Sequence, residues 1–270
     1  YGFKRKVNAN FASDLKMNVS AFKEVSTGVY EATVSGKKAG TTQVSADVSN
    51  IRINHTASLT LSADNNTAKV KGSISATPTS ATVGDVVTYT AVLTDANENA
   101  LGAGIPVTWS ANEGSTLSSQ VTRTDDSGTA RVTLTRALVG TAKMELILPS
   151  GTTAAPDVIF SAGDVDENRS ELTLAPSAIV AGKETATLTL TLRDSNGNYL
   201  AGKSVSGHSD NRNVNISESQ ENSNAPGRYT MTVTSDKAGS AILTTKVGDI
   251  TLSKSRTLTV KGDTDSWTLS

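Results

Sequence analysis

The alternation of apolar and polar residues is cleanest at 186–192, where Leu188, Leu190 and Leu192 take turns with Thr187, Thr189 and Thr191. Val87, Tyr89, Ala91 and Leu93 alternate in the same way with Val86, Thr88, Thr90 and Val92. A period of two with one more apolar face marks a half-buried strand. Further short strands are predicted at 105–110, 116–124 and 158–161, with a hairpin formed by 131–135 and 142–148. Turn-forming residues separate them: DANENA at 95–100, DDSG at 125–128 and DSNGNYL at 194–200. A helical period persists nowhere for more than two turns. The predicted chain is all-β.

The pattern repeats. GVYEATVSGKKAG, GTARVTLTRALVG and GRYTMTVTSDKAG begin at Gly28, Gly128 and Gly227, so the copies are spaced 100 and 99 residues apart. A strand follows each copy, at 43–48, 143–148 and 241–247, and a terminal strand then closes on Asp64, Asp164 or Asp263. A fixed period of this length means tandem domains, since about 100 residues can bury a core of their own. The predicted modules are 1–66, 67–165 and 166–264, with 265–270 as the start of a further module or a linker. Seven or so short strands per module, separated by turns, predict tandem immunoglobulin-like Greek-key β-sandwich modules arranged end to end. The first module is short. Only 27 residues precede its turn glycine, and the period places Val7 level with Val107, so its first one or two strands are expected to be missing or built differently.

Two of the repeated turns carry a tyrosine two residues after the glycine, Tyr30 and Tyr229. That is the placement of a tyrosine corner, whose hydroxyl bonds back to turn backbone. The second module has Ala130 there and alone carries Trp109, which is expected to fill its core.

Composition narrows the picture. There are 25 basic and 26 acidic residues for a net charge of −1, which gives no pull toward nucleic acid or anionic membrane. Aromatics make up 4%, too few for the exposed platforms of a carbohydrate-binding module. There is no cysteine, which removes thiol nucleophiles, cysteine-held metals and an inter-sheet disulfide. No stretch of 18 apolar residues is present, and the chain starts at Tyr1 without an initiator Met. It is expected to be an internal piece of a longer polypeptide, with export and membrane attachment encoded elsewhere.

Candidate chemistry is sparse. His208, Ser209 and Asp210 are contiguous, so on an extended strand their side chains diverge where a catalytic triad needs them to converge. No catalytic residue and no cofactor is predicted. Asp95-x-Asn97-x-Asn99 and Asp194-x-Asn196-x-Asn198 look like the first half of a calcium loop but lack the glycine at position six and the glutamate at position twelve. They are read as turns. The acids at the module boundaries, Asp64, Asp164, Asp166, Glu167, Asp263 and Asp265, are weak calcium candidates; those at the second and third boundaries are the better supplied with ligands. Lys261-Gly262-Asp263 has the form of an integrin-binding tripeptide, but the equivalent residues Ser62-Ala63-Asp64 and Ala162-Gly163-Asp164 place its aspartate in the repeat. Two loops, 150–156 and 211–226, are the candidates for partner contact.

The segments 107–135 (VTWSANEGSTLSSQVTRTDDSGTARVTLT), 139–146 (VGTAKMEL) and 28–46 (GVYEATVSGKKAGTTQVSA) resemble the bacterial immunoglobulin-like (Big) repeat of the invasin and intimin adhesins, as found in enterobacterial intimin-like proteins. The resemblance covers nearly the whole chain and is weakest over 1–16. It implies an outer-membrane β-barrel anchor outside this segment, a row of sandwich modules on the bacterial cell surface, and receptor binding by a C-terminal lectin-like tip that usually carries cysteines. The present chain has no such tip. The expected role is therefore a stalk segment that projects a binding tip, in a protein whose partner is a host cell-surface or extracellular-matrix protein. No nucleic acid and no small-molecule substrate is expected. The alternatives are a direct host-binding module that uses sandwich loops or an edge strand, and an accessory domain of a secreted glycosidase. Three modules of roughly 30–40 Å in file predict a monomeric rod about 100 Å long.

Overall fold

The computed structural model describes residues 5–266, so the expected start of a further module falls largely on 267–270, outside the described residues. The described chain is strand and turn, with two short 3₁₀ turns at Asn65–Thr67 and Thr264–Ser266. Among the described residues no helix is long and apolar enough to cross a membrane. Two compact units result. One holds the chain up to Ser80 together with Val86–Thr135 and Thr141–Val158; the other holds Ala81–Asp85, Arg136–Gly140 and the chain from Ile159 onward. The division does not follow the repeat: two end turns of the second copy are grouped with the third.

In the second unit one sheet runs in the order Glu171–Ala175, Ala186–Thr191, Arg228–Ser235, Val214–Ile216, with Gln220–Glu221 also on Arg228–Ser235. The facing sheet runs Ala178–Val180, Arg256–Lys261, Gly239–Val247, Val205–Ser209, with Ile250–Thr251 also on Gly239–Val247. The chain passes from one sheet to the other at Pro176. Ala178–Val180 then lies parallel to Arg256–Lys261, while the other paired strands are antiparallel. This is the immunoglobulin-type sandwich that the alternation predicts. Leu188, Leu190 and Leu192 point inward and are fully buried beside Leu172, Tyr229, Met231, Val233, Leu243 and Leu258.

In the first unit Val87–Thr94 lies between Ser75–Thr77 and Thr129–Arg136, and the facing sheet runs Val121–Arg123, Pro106–Ala111, Met144–Leu148, Gly151–Ala154. Val87, Tyr89, Ala91 and Leu93 are buried, as their period requires. Trp109 is also buried and donates its indole N–H to the Thr122 hydroxyl at 2.8 Å. It stands opposite Leu146, and in the third copy Gly207 stands opposite Thr245. A Cβ at Gly207 would lie 2.7 Å from Ile216 Cγ2 and 3.1 Å from Met231 Sδ. The two copies thus fill one core site differently, with an indole in one and with Ile216 and Met231 over a bare backbone in the other.

Two of the repeated turn glycines have a steric reason; at Gly28, with φ +78°, a Cβ would meet nothing within 4 Å. Gly128 has φ +76°, and a Cβ there would sit 2.8–2.9 Å from the backbone of Leu101 and Leu93. Gly227 has φ +84°, and a Cβ would sit 2.9 Å from Tyr199 Cβ. Only glycine fits both the left-handed backbone and the close approach.

The first copy is open. Val7–Phe11 pairs with Gly40–Val48 with Val7 opposite Val48, as Val205 stands opposite Val247. Met17–Val19 pairs with Val34–Gly36, and Lys23–Ser26 with Val29–Glu31. Among the described residues no strand stands where Val87–Thr94 stands in the second copy. A groove of about 860 Å³ is left, lined by Ala9, Phe22, Tyr30, Val34, Val44 and His55 among others.

Several expectations need correction. The stretch 65–72 enters the second copy at once: Ala68 is buried and Lys69–Val70 pairs with Leu93 and Thr94. Both candidate loops contain edge strand. Gly151–Ala154 is a strand on Met144–Leu148, and 211–226 contains Val214–Ile216 and Gln220–Glu221 on Arg228–Ser235. The single strand predicted at 116–124 is two, Ser115–Leu117 and Val121–Arg123, which join opposite sheets. Backbone ladders satisfy peptide groups that would otherwise need water, so polar composition did not prevent strand formation there.

Candidate functional site

The densest buried polar structure is the Asp-x-Asn-x-Asn turn, which occurs twice. In the first unit Asp95 follows Val87–Thr94 and is buried. Its Oδ1 accepts the N–H groups of Asn97 (2.8 Å) and Asn99 (3.0 Å), the local pattern that makes aspartate a turn former. The remaining oxygen faces elsewhere. Oδ2 accepts the Asn99 Nδ2 at 2.9 Å and, from just past the terminal strand of the first copy, the Asp64 N–H at 3.1 Å. Asn99 completes the contact: its Oδ1 accepts the Ala39 N–H at 2.8 Å and its Nδ2 donates to the Lys37 carbonyl at 2.8 Å.

The second unit repeats this arrangement, with the backbone donor to Oδ2 moved back by one position of the repeat. Asp194 Oδ1 accepts from the N–H of Asn196 and Asn198 at 2.9 and 2.8 Å, and Oδ2 accepts the Gly163 N–H at 2.9 Å. Asn198 Oδ1 accepts the Val139 N–H at 3.2 Å, and its Nδ2 donates to the Ala137 carbonyl at 2.8 Å and to Asp194 Oδ2 at 3.0 Å. A primary amide offers a donor and an acceptor on one edge, so it pairs with a carbonyl and an N–H two residues apart as a neighbouring peptide would. The partners lie three residues and one residue before the repeated glycines Gly40 and Gly140. The motif read as a turn is a turn, and it is also the clamp by which one copy grips the end turn of the copy before it.

The electrostatics follow from the bonding. Burial disfavours the Asp95 carboxylate, but the Asn99 side chain and the N–H groups of Asp64, Asn99 and Asn97 outweigh it, and the pKa lies below the ordinary aspartate value. At Asp194 burial is likewise overcome, by the Gly163 N–H, the Asn198 side chain and the N–H groups of Asn198 and Asn196. Both carboxylates are ionised at neutral pH and fully engaged with the protein.

The boundary acids are placed as follows. Asp64 accepts the Asn66 N–H at 3.1 Å and caps the 3₁₀ turn that follows it. Asp166 Oδ1 accepts the Asn168 N–H at 2.9 Å, and Glu167 holds the hydroxyl and the N–H of Ser253. The Ser253 hydroxyl is the chief reason the Glu167 pKa is lowered. Asp263 and Asp265 both pair with Lys183 Nζ, at 2.8 and 2.9 Å, and Asp164 is exposed. Among the described residues no group of three or more His, Asp or Glu side chains is placed to hold a metal ion. His208 is exposed on Val205–Ser209, Ser209 bonds to Asn211, and Asp210 Oδ1 accepts the Ile242 N–H. The three side chains do not converge.

Tyr229 needs a correction. Its hydroxyl donates to the Leu200 carbonyl at 2.8 Å and accepts the Lys203 N–H at 2.9 Å. It pins the segment after the Asp194 turn, 26–29 residues upstream, rather than the Gly227 turn itself. Tyr30 does not repeat this; it is half-buried and lines the groove of the first copy.

Comparison with known proteins gives the same architecture. The family model described as bacterial Ig-like domain (group 1) matches residues 73–161 and 169–261. The chain belongs to this family. It is 29% identical over 239 residues to the inverse autotransporter adhesin YeeJ of Escherichia coli K12, a match that covers 86% of the chain. The chain spans about a tenth of that relative's length, 10%. In fold it is similar to the E. coli adhesin FdeC (TM-score 0.57, 22% identity, 97% of this chain and 87% of that one). It is similar too to invasin, a bacterial integrin-binding protein (TM-score 0.64, 20% identity, 95% of this chain and 60% of that one).

Proposed function

We propose that this chain is a stalk segment of a bacterial surface adhesin, displayed outside an outer-membrane anchor encoded elsewhere in the polypeptide, with a host cell-surface or matrix protein as the partner of the whole molecule. The observation that carries the reading is the clamp. A spacer needs junctions that hold each copy to the one before it, and here the buried carboxylates Asp95 and Asp194 serve that end with Asn99 and Asn198. Membership of the Ig-like family and likeness to YeeJ, FdeC and invasin support the surface setting. Enzymatic turnover is no part of this reading.

The test is binding of the purified chain to host epithelial cells and to immobilised matrix proteins. A spacer shows no saturable binding to either. Saturable binding that disappears when 211–226 is replaced by a short turn, with the β-sheet circular dichroism unchanged, would instead make the chain itself a host-binding module.

A further inference from the structure

We propose that the end of the third copy formed by 236–239 and Asp263 is a third docking socket, and that its occupant is the Asp-x-Asn-x-Asn turn of a further Ig-like module of this family. The argument is one of repetition. At both occupied junctions the gripped groups are the carbonyl three residues before a repeated glycine and the N–H one residue before it. For Gly40 these are Lys37 and Ala39, and for Gly140 they are Ala137 and Val139. Before Gly239 the same positions are Asp236 and Ala238, and both are exposed.

The backbone of the third socket has the geometry of the first. Gly40 has φ +151° and stands opposite Leu61; Gly239 has φ +151° and stands opposite Val260. Three residues past those partners come Asp64 and Asp263. Each accepts the N–H two residues on, at 3.1 and 3.0 Å, and each is followed by a 3₁₀ turn, Asn65–Thr67 and Thr264–Ser266. A turn side chain is also braced alike: Arg136 Nε donates to the Leu138 carbonyl, and the Ser235 hydroxyl to the Lys237 carbonyl. A socket of this kind recognises backbone positions, so the change from Lys37 to Ala137 to Asp236 does not alter what it presents. It selects the incoming module by an Asn amide, which matches a carbonyl and an N–H two residues apart, and by an Asp carboxylate that accepts a backbone N–H past the terminal strand.

The inference deepens the spacer reading, and its test is independent of any binding to host material. The chain through Ser266 is extended by a second copy of 68–164, which carries its own Asp95-x-Asn97-x-Asn99 turn, and amide hydrogen exchange is followed at Ala238. Docking slows exchange at Ala238 on the order of tenfold relative to the unextended chain, and Asn99→Ala in the appended copy alone returns it to the unextended rate. Val139 in the same molecule is the internal standard for an occupied socket. Trp109 fluorescence of the appended copy, with Trp109→Phe in the original, reports that the copy is folded. A folded appended copy that leaves Ala238 exchange unchanged overturns the socket, as does protection that survives Asn99→Ala. Where Asn99→Ala unfolds the appended copy, Asn99→Asp, which keeps the acceptor and loses the donor, decides between the same two outcomes.

Discussion

Two buried tyrosines behave oppositely. Tyr229 makes two hydrogen bonds through its hydroxyl, to Leu200 and from Lys203, whereas the Tyr89 hydroxyl is buried without a partner. Tyr229→Phe leaves a carbonyl and an N–H unsatisfied and should cost about 1–3 kcal/mol in urea unfolding. Tyr89→Phe removes an orphaned polar atom and should leave stability unchanged or raise it. Equal losses from the two would mean that the hydroxyls do not distinguish the sites. A second expectation concerns Gly207→Ala: with Ile216 at 2.7 Å from the new methyl, overpacking should cost about 1–3 kcal/mol. The inward face of each long strand was legible in the sequence, because Leu188 to Leu192 and Val87 to Leu93 carry their own period. The exchange of Trp109 for Gly207 was not. A one-residue offset between copies is invisible until strand pairing sets Gly207 opposite Thr245.

At the scale of the turn, the Asp-x-Asn-x-Asn element was half legible. Its local role follows from Asp95 Oδ1 and backbone groups within four residues. The second carboxylate oxygen and the asparagine amide are surplus to a turn, and their partners lie 31–62 residues away, where no local pattern points. The two roles can be separated. Asn198→Ala keeps the Asp194 turn and removes the bonds to Ala137 and Val139, so exchange at Val139 should accelerate on the order of tenfold or more while Leu190 is unaffected. The pH dependence follows from the carboxylates. The folded pKa of Asp95 and of Asp194 lies below the unfolded value, near 3.9 for aspartate. Their contribution is therefore fully present above that value and is lost as pH falls through the lower, folded pKa. Protection of the Gly163 amide should be flat from neutral pH down to about pH 4 and fall below it. Asp194→Asn should abolish that fall, and a fall centred near pH 6 would point to another group.

For the molecule as a whole, the tandem Ig-like repeat was legible in the turn glycines, with two of its copies matched by the family model, and the count of residues before Gly28 predicts a short first copy. Its consequence for stability needed the structure. Between residues 5 and 64, Leu15 and Thr42 are the described residues that are buried, whereas the third copy packs a core from Leu172 to Val260. Hydrophobic stabilisation scales with apolar area removed from water, at about 25 cal/mol per Å². The first copy, with its groove lined by Phe22, Val34 and Val44 open on one side, gains far less than the others. It is also held from outside its own core, through the hydrogen bonds of Asn99 to Lys37 and Ala39. Unfolding should therefore be stepwise rather than two-state. In native-state hydrogen exchange the Ala46 and Val48 amides, which lie on the strand that Val7–Phe11 flanks, should open at a free energy several kcal/mol below that of Leu188 and Leu190. Asn99→Ala should lower the opening energy of the first copy by about 1–3 kcal/mol and leave the Leu190 value where it was. A single opening energy shared by Val48 and Leu190 would show that the first copy is not the weak part of the chain. An unmoved value at Val48 in Asn99→Ala would show that the clamp orients that copy without stabilising it.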